Sequence, residues 1–462
     1  MKPVLAWIKS NLFIVIFAAI IILVLPTAFV VSGMWTKGLR TREQTAADKR
    51  VKEVQGLNVE YTLPAYEPGG QPVAVKSPPN ASLTEWFKRE RERLDKQAGA
   101  VVKRAEDFNQ GIGPDAQALG RLPHSLLVEG LFPAAGSKDQ ETDLLNEMED
   151  KLLGKRGNPN PYQALLDASR AGGPADPVRL KEVLTDVRVR EAEKQAAKRQ
   201  LTVEEQAALS KQLAGRRLSE YMARAREVSF YATIDAFPRT GDGVSLIPYG
   251  SIPSIFLEPV PFYIYQWDYW VYADLLAAIR VANAPPGQPR GTPGNVDQAV
   301  VKRIEKMSIT DPEGVFGNTP DAMAEGTESV APSSPVPGMV PLDPTISITG
   351  RGMGTWNTVY DVRRASMTLI LASARIQEFI DAVERTNFMT VTALDLAEVD
   401  PWAELRQGYY YGPDHVVRAT VEIETIWLRS WTAKLMPKAL RDVLGVPEAP
   451  APTEGEADPD PA

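Results

Sequence analysis

No cysteine occurs in the 462-residue chain, and there are only two histidines, His124 and His415. The first absence removes disulfides, thiol nucleophiles, zinc ribbons and iron–sulfur ligation together. The second leaves no histidine pair at metal spacing, so a Ser-His-Asp triad, an HExxH zinc site and a histidine general base all fit poorly. Basic excess is lacking too. The net charge is −8, and no global positive field favours nucleic acid. No GxxxxGK[ST] segment occurs, which removes the common nucleotide-hydrolase signature. These absences argue against most enzyme classes. No catalytic residue, metal, cofactor or small-molecule substrate is expected.

Apolar residues make up 44% of the chain and charged residues 24%, so it carries enough hydrophobic surface for a globular core. Its length admits about three domains. The 38 prolines cluster, which marks linkers.

One hydrophobic run stands out. From Leu12 to Trp35 there is no charge, with Lys9 and Lys37 outside it and Trp7 and Trp35 at its ends. About 20 such residues cross a bilayer core, and tryptophans collect at its interfaces. Pro26 is tolerable in a membrane helix. A cleaved signal peptide is the competing reading. It is disfavoured because the run exceeds a usual h-region and Val30-Val31-Ser32 is a poor cleavage site. The reading is one membrane-spanning helix over 12–35 after a short tail, 1–11, inserted in the lipid bilayer.

Residues 36–55 continue as a polar helix, and prolines and glycines make 56–82 an irregular linker. A helical region follows over 83–227. Its first helix, Leu83 to Asn109, repeats Phe87, Leu94, Val101 and Phe108 every seventh position, a coiled-coil-like seam. This predicts either a dimerising helix or an amphipathic helix packed in its own domain. Helices are also expected at 138–153 and 177–198. Thr202 with Glu205 has capping-box spacing for a helix running to about Arg226.

Residues 228–265 read as short extended pieces. A helix from Gln266 to Asn283 places Val271, Leu275, Ala278, Ile279 and Ala282 on one face, and a strand spans Val300–Ile309. A Pro-rich linker fills 310–344. Ile346 and Ile348 alternate before Gly350, and Ala365–Leu371 alternates as a strand. Ile376, Phe379, Ile380 and Val383 mark a helix, and 389–399 another strand. After Gly412-Pro413, Val417, Ala419, Val421, Ile423 and Trp427 share one strand face, with Arg418, Thr420, Glu422 and Glu424 on the other. A basic helix at 431–446 precedes an acidic, Pro-rich tail, 447–462, that reads as disordered.

The fold class is therefore α+β. The order α-β-β-α-β-β predicts a four-stranded antiparallel sheet with both helices on one face, a ferredoxin-like αββ-αββ sandwich within 228–430. Such a sheet leaves open edges that can pair with another chain.

Together with the membrane helix and the coiled-coil-like segment, three stretches carry a resemblance: Val359-Tyr360-Asp361-Val362, Ile376-Gln377-Glu378-Phe379-Ile380-Asp381-Ala382-Val383, and Asn387-Phe388. The chain resembles the PilO-type inner-membrane alignment subunits of type IV pili and their type II secretion relatives. The resemblance implies a periplasmic C-terminal bulk. It also implies a homo- or heterodimer with a similarly built single-pass subunit, contact with an inner-membrane lipoprotein, and no catalysis. The flanking charges favour the opposite orientation: Lys37, Arg40, Arg42, Lys49 and Arg50 outnumber Lys2 and Lys9. The periplasmic placement rests on the resemblance.

Other motifs carry little chemistry. Gly350-Arg-Gly352-Met-Gly354 lacks the sixth-position glycine of a dinucleotide loop and reads as a flexible turn. Glu422 and Glu424 read as outward polar residues, not a glycosidase pair. Tyr409, Tyr410 and Tyr411 read as packing on their own sheet. Trp267 and Trp270, among four nearby tyrosines, read equally as interface or core. Lys434, Lys438 and Arg441 read as part of a helix capping the sheet. The residues expected to form an oligomer interface are Phe87, Leu94, Val101, Phe108, Trp267 and Trp270. The functional expectation is an inner-membrane scaffold aligning a pilus-like or secretion-like machine. A wall hydrolase with paired carboxylates and an export-pump adaptor are the rival readings.

Overall fold

A computed structural model describes residues 2–56, 59–63, 73–77, 81–196, 202–237, 258–310 and 359–446. The linker over 311–344, the Ile346/Ile348 strand, the Gly350–Gly354 turn and the tail 447–462 lie outside the described residues. The chain divides into two units, residues 1–102 and 103–462.

In the first unit, helix α1 (Lys2–Ser10) precedes α2 (Leu12–Gly56). The 45 residues of α2 span about 68 Å at 1.5 Å per residue, roughly twice a hydrocarbon core. Its apolar window is uncovered by protein, unlike the core helix of a soluble domain. Thr27 donates to the Leu23 carbonyl at 2.7 Å, and Thr36, Thr41 and Thr45 bond back one turn in the same way. Each hydroxyl is thereby satisfied without water.

Strands β1 (Val59–Leu63) and β2 (Val73–Ser77) pair antiparallel, where the sequence suggested only irregular chain. The prolines and glycines fall between and after the strands in sequence, so they delimit the pairing without abolishing it. Helix α3 (Ala81–Asn109) follows, as expected from its heptads.

The second unit continues with α4 (Gly113–Ala118), α5 (Lys138–Leu152), α6 (Pro161–Ala168), β3 (Ala171–Gly172), α7 (Pro177–Ala196), α8 (Val203–Glu227) and β4 (Phe230–Tyr231). Then come α9 (Pro259–Ala282), β5 (Val301–Thr310), β6 (Tyr360–Ala372), α10 (Ile376–Thr386), β7 (Met389–Glu398), α11 (Pro401–Arg406), β8 (Val416–Leu428), α12 (Arg429–Thr432) and α13 (Lys438–Val443). The Thr202–Glu205 capping box is formed at the start of α8. The Thr202 hydroxyl accepts from the Glu205 N–H at 3.3 Å, and Glu205 accepts from the Thr202 N–H at 2.8 Å.

Helix α9 begins seven residues before the expected Gln266. Its prolines, Pro259 and Pro261, sit in the first turn, where the N–H is not needed and the fixed φ suits a helix. The expectation of extended chain up to residue 265 is corrected accordingly. The helix is also not one-faced. Residues from Pro261 to Ala282 are buried nearly all round, because α5, α6, α10 and β5 all pack against it.

The sheet has six strands in the order β3-β4-β5-β6-β8-β7. The four expected strands pair antiparallel, with β6 and β8 in continuous register from Tyr360↔Leu428 to Ala372↔Val416. Two short strands, β3 and β4, add to β5 in parallel and make the sheet mixed. One of the two anticipated open edges is thus covered, and β7 is the remaining long edge.

The main core joins α9, α10, the helix-side sheet face and α13. Trp267, Trp270, Phe379, Val383, Leu369, Val421, Trp427 and Leu440 are nearly or wholly inaccessible. Each buried tryptophan removes on the order of 150–250 Å² from water, roughly 4–6 kcal/mol before ordering entropy. A smaller cluster of Ala225, Val228, Ile370, Val399, Tyr411 and Val416 seats the end of α8 on the other sheet face.

Candidate interaction surface

The titratable groups that meet inside the second unit form a polar clasp. Asp274, on α9, accepts from Arg121 Nε at 3.1 Å and Nη2 at 2.8 Å, from His124 Nε2 at 3.1 Å, and from the Asn387 amide. Burial alone would raise the Asp274 carboxyl. The charges of Arg121 and His124, with hydrogen bonds from His124 and Asn387, outweigh it and hold the group down at about 2. His124 is ringed by Trp427, Trp431 and Trp270, with centroids 5.1, 5.8 and 5.9 Å away.

Asn109, the last residue of α3, completes the clasp. It donates to the Ile426 carbonyl and the Asn387 side chain, and accepts from the Leu428 N–H and Trp431 Nε1. These groups are buried and bond chiefly to one another, with His124 Nδ1 left without a hydrogen-bond partner. The clasp fastens the end of α3 to the C-terminal half of α9 and to the end of β8, which is a structural role. Two further buried pairs, Arg363–Asp268 and Arg429–Asp361, tie the sheet to α9 and to α12.

Glu422 and Glu424 do share a strand face, as their spacing requires, but their surroundings differ. Glu422 is exposed and Glu424 is 1% exposed. The reading of both as outward-facing is corrected for Glu424. Among the described residues no group of three metal-ligating side chains gathers. The tyrosine cluster packs on its own unit. Tyr411 donates to Glu404 at 2.9 Å, Tyr231 lies 5.2 Å from Tyr409, and the Arg303 guanidinium lies 3.8 Å over the Tyr409 ring. Burial pushes the Tyr231 hydroxyl up to about 12. Near the C-terminus, Met436 and Leu440 are buried in the main core, so the segment bearing Lys434, Lys438 and Arg441 packs on the domain.

The residues expected at an oligomer interface are scattered. Trp267 and Trp270 are 0% exposed, on the core side of the two readings left open for them. Phe108 packs on Phe388 at 5.7 Å and lies under the Arg121 guanidinium. Val101 is 69% exposed, Leu94 is half-buried, and Phe87 meets Trp86 edge-on at 4.9 Å. The heptad pattern marked a helix correctly. Its last member, Phe108, packs inside the second unit because α3 ends in the clasp.

What remains open is the sheet edge. β7 pairs with β8 on one side, and among the described residues no strand pairs on its other side. A bulge between Val391 and Ala393 disturbs the first half of the strand, while Ala393–Glu398 is in regular register. This half is largely exposed, with Leu396 at 53%. An open row of N–H and C=O groups beside an exposed leucine is suited to strand addition. No family model, curated protein or solved structure matches the chain.

The sequence reading missed α11 and the exposed Trp402 within it. The signal was present: Asp400 precedes Pro401, and its carboxylate caps the Trp402 N–H at 2.9 Å.

Proposed function

We propose that the chain is a single-pass membrane scaffold subunit of PilO type, acting without bond chemistry. It would align a pilus-like or type II secretion-like envelope machine from the periplasmic side of the inner membrane. The observation that carries this reading is the order α9-β5-β6-α10-β7-β8 with neighbours β5-β6-β8-β7, all antiparallel. That order and the contact between α9 and α10 are what a ferredoxin-like αββ-αββ domain requires. The uncovered apolar helix α2 supports the tether. The open β7 edge supports association with a similarly built subunit, and an inner-membrane lipoprotein is the second partner of this reading. The helical arm α7–α8 lies in sequence ahead of the αββ repeat and is additional to it.

The test is detergent extraction and co-purification from the native membrane, followed by identification of what is recovered. A similarly built single-pass protein, lost with Leu396→Lys, is the expected result, because a charge on the edge opposes strand addition. A strictly monomeric protein with no envelope partner refutes the reading. Protease added to spheroplasts is expected to digest the C-terminal bulk. Survival of that bulk beside a digested periplasmic control overturns the orientation.

A further inference from the structure

The regular half of β7, Ala393–Glu398, bonds β8 on one side, and among the described residues nothing pairs on the other. The ladder sets which side chains share a face. Ala393, Asp395 and Ala397 stand opposite Glu422, Thr420 and Arg418. Leu394, Leu396 and Glu398 stand opposite Val421, Ala419 and Val417. The second set lies on the helix side of the sheet, since Val421 and Ala419 belong to the main core. The first set lies on the other face.

This edge is acidic. Asp395 and Glu422 are exposed on one face and Glu398 on the other, and none of the three makes an ion pair among the described residues. Arg418 does not neutralise them, because it bonds Glu305 at 2.6 Å and lies 3.9 Å from Glu404. Ala393 and Ala397 flank Asp395 and project nothing beyond Cβ. A long side chain on an added strand can therefore cross them to reach Asp395 and Glu422. On the helix side Leu396 is 53% exposed, and Leu394 packs on the core. The matching strand is apolar opposite Leu394 and Leu396 and carries lysine or arginine on the face of Asp395.

A second copy of β7 does not meet this specification. Two copies related by a two-fold axis pair antiparallel, with one residue opposite itself. Centred on Asp395, the pairing sets the two Asp395 carboxylates directly opposite. Centred on Leu394 or Leu396, it makes them diagonal neighbours. Like charges so placed destabilise a strand pair.

We propose that the β7 edge takes a strand of alternating apolar and basic residues from a different subunit, so that the association is a heterodimer and not a homodimer. This deepens the scaffold reading and rests on it for the presence of a partner subunit. Backbone pairing supplies affinity, and the carboxylates select against the chain's own acidic edge.

The test uses the detergent-solubilised full chain and two fluorescent peptides of about seven residues, one alternating valine with lysine and one alternating valine with glutamate. Anisotropy should show saturable binding of the lysine peptide, at least about tenfold tighter than the glutamate peptide. The preference should invert in Asp395→Lys/Glu422→Lys. Both side chains are exposed, so that variant keeps the fold, and unchanged thermal unfolding checks it. Bound peptide should slow hydrogen exchange of the 393–398 amides, which charge attraction without strand addition does not do. Equal binding of the two peptides overturns the proposal, as does a preference unaltered by the charge reversal or binding that leaves those amides unprotected. Sedimentation of the chain alone should show no dimer that depends on Leu396. A homodimer abolished by Leu396→Lys overturns the proposal and leaves the scaffold reading standing. Recovery of no envelope partner overturns that reading, while the peptide preference is read separately.

Discussion

Replacing Asp274 by alanine strips the clasp of its only carboxylate. The side chains of Arg121 and Asp274 are 0% and 4% exposed, so the guanidinium left behind cannot hydrate without opening the core. Breaking a buried pair by removing one partner costs about 3–5 kcal/mol, chiefly because a charge is stranded. A part of that loss depends on pH, and its sign follows from the folded-state value. The carboxyl stands at about 2 against an ordinary 3.8. A lowered carboxyl stabilises the fold at all pH above the unfolded value, and that stabilisation fades as pH falls from 3.8 towards 2. The difference is worth about 2 kcal/mol.

The assay is denaturant unfolding of the full chain in detergent, followed by tryptophan emission, since Trp270, Trp427 and Trp431 ring His124. Asp274→Ala is expected to lose about 3–5 kcal/mol at pH 7. Its deficit relative to the native chain should shrink by about 2 kcal/mol between pH 5 and pH 2. Arg121→Met added to Asp274→Ala should cost less than the two single changes summed, because no charge then remains stranded. A loss below about 0.5 kcal/mol at pH 7, or a deficit constant with pH, refutes the account of the clasp.

Thr202→Ala removes the hydroxyl half of the capping box and should destabilise the start of α8 by about 1 kcal/mol, read as faster hydrogen exchange in its first turns. Gly412→Ala should cost about 1–3 kcal/mol in thermal unfolding. The residue has φ +82°, and a Cβ there would lie 2.7 Å from the Asp297 carbonyl oxygen. Removal of residues 2–35 should move the protein from the carbonate-resistant membrane pellet to the supernatant, as the apolar part of α2 is long enough to cross a bilayer.

Local signals in the chain were strong wherever short-range chemistry decides the backbone. The uncharged run at Leu12–Trp35 opens α2 at its first residue, the Thr202–Glu205 box marks the start of α8, and the alternations of Ala365–Leu371 and Val417–Ile423 lie within β6 and β8. Three helix starts obey one unread rule: Asn160-Pro161, Asp176-Pro177 and Asp400-Pro401 each cap a helix with the first side chain and open it with the proline. Those starts depend on neighbours in sequence and were legible. The same residues at Pro259 and Pro261 misled, because proline punctuates both loops and first turns.

The sequence alone determined the long apolar N-terminal helix, the α+β class and the succession of α9, β5, β6, α10, β7 and β8, since hydropathy and periodicity are local properties of the chain. Only the tertiary structure decided which polar residues are buried and which edge stays open. Asn109, His124, Asp274 and Asn387 stand far apart in sequence and meet only because the ends of α3, α10 and β8 come together beside the C-terminal half of α9. Glu422 and Glu424 are alike in composition and differ only in what packs over them. β7 is an edge because β3 and β4 add beside β5 and not beside it, a matter of long-range pairing that no local pattern encodes.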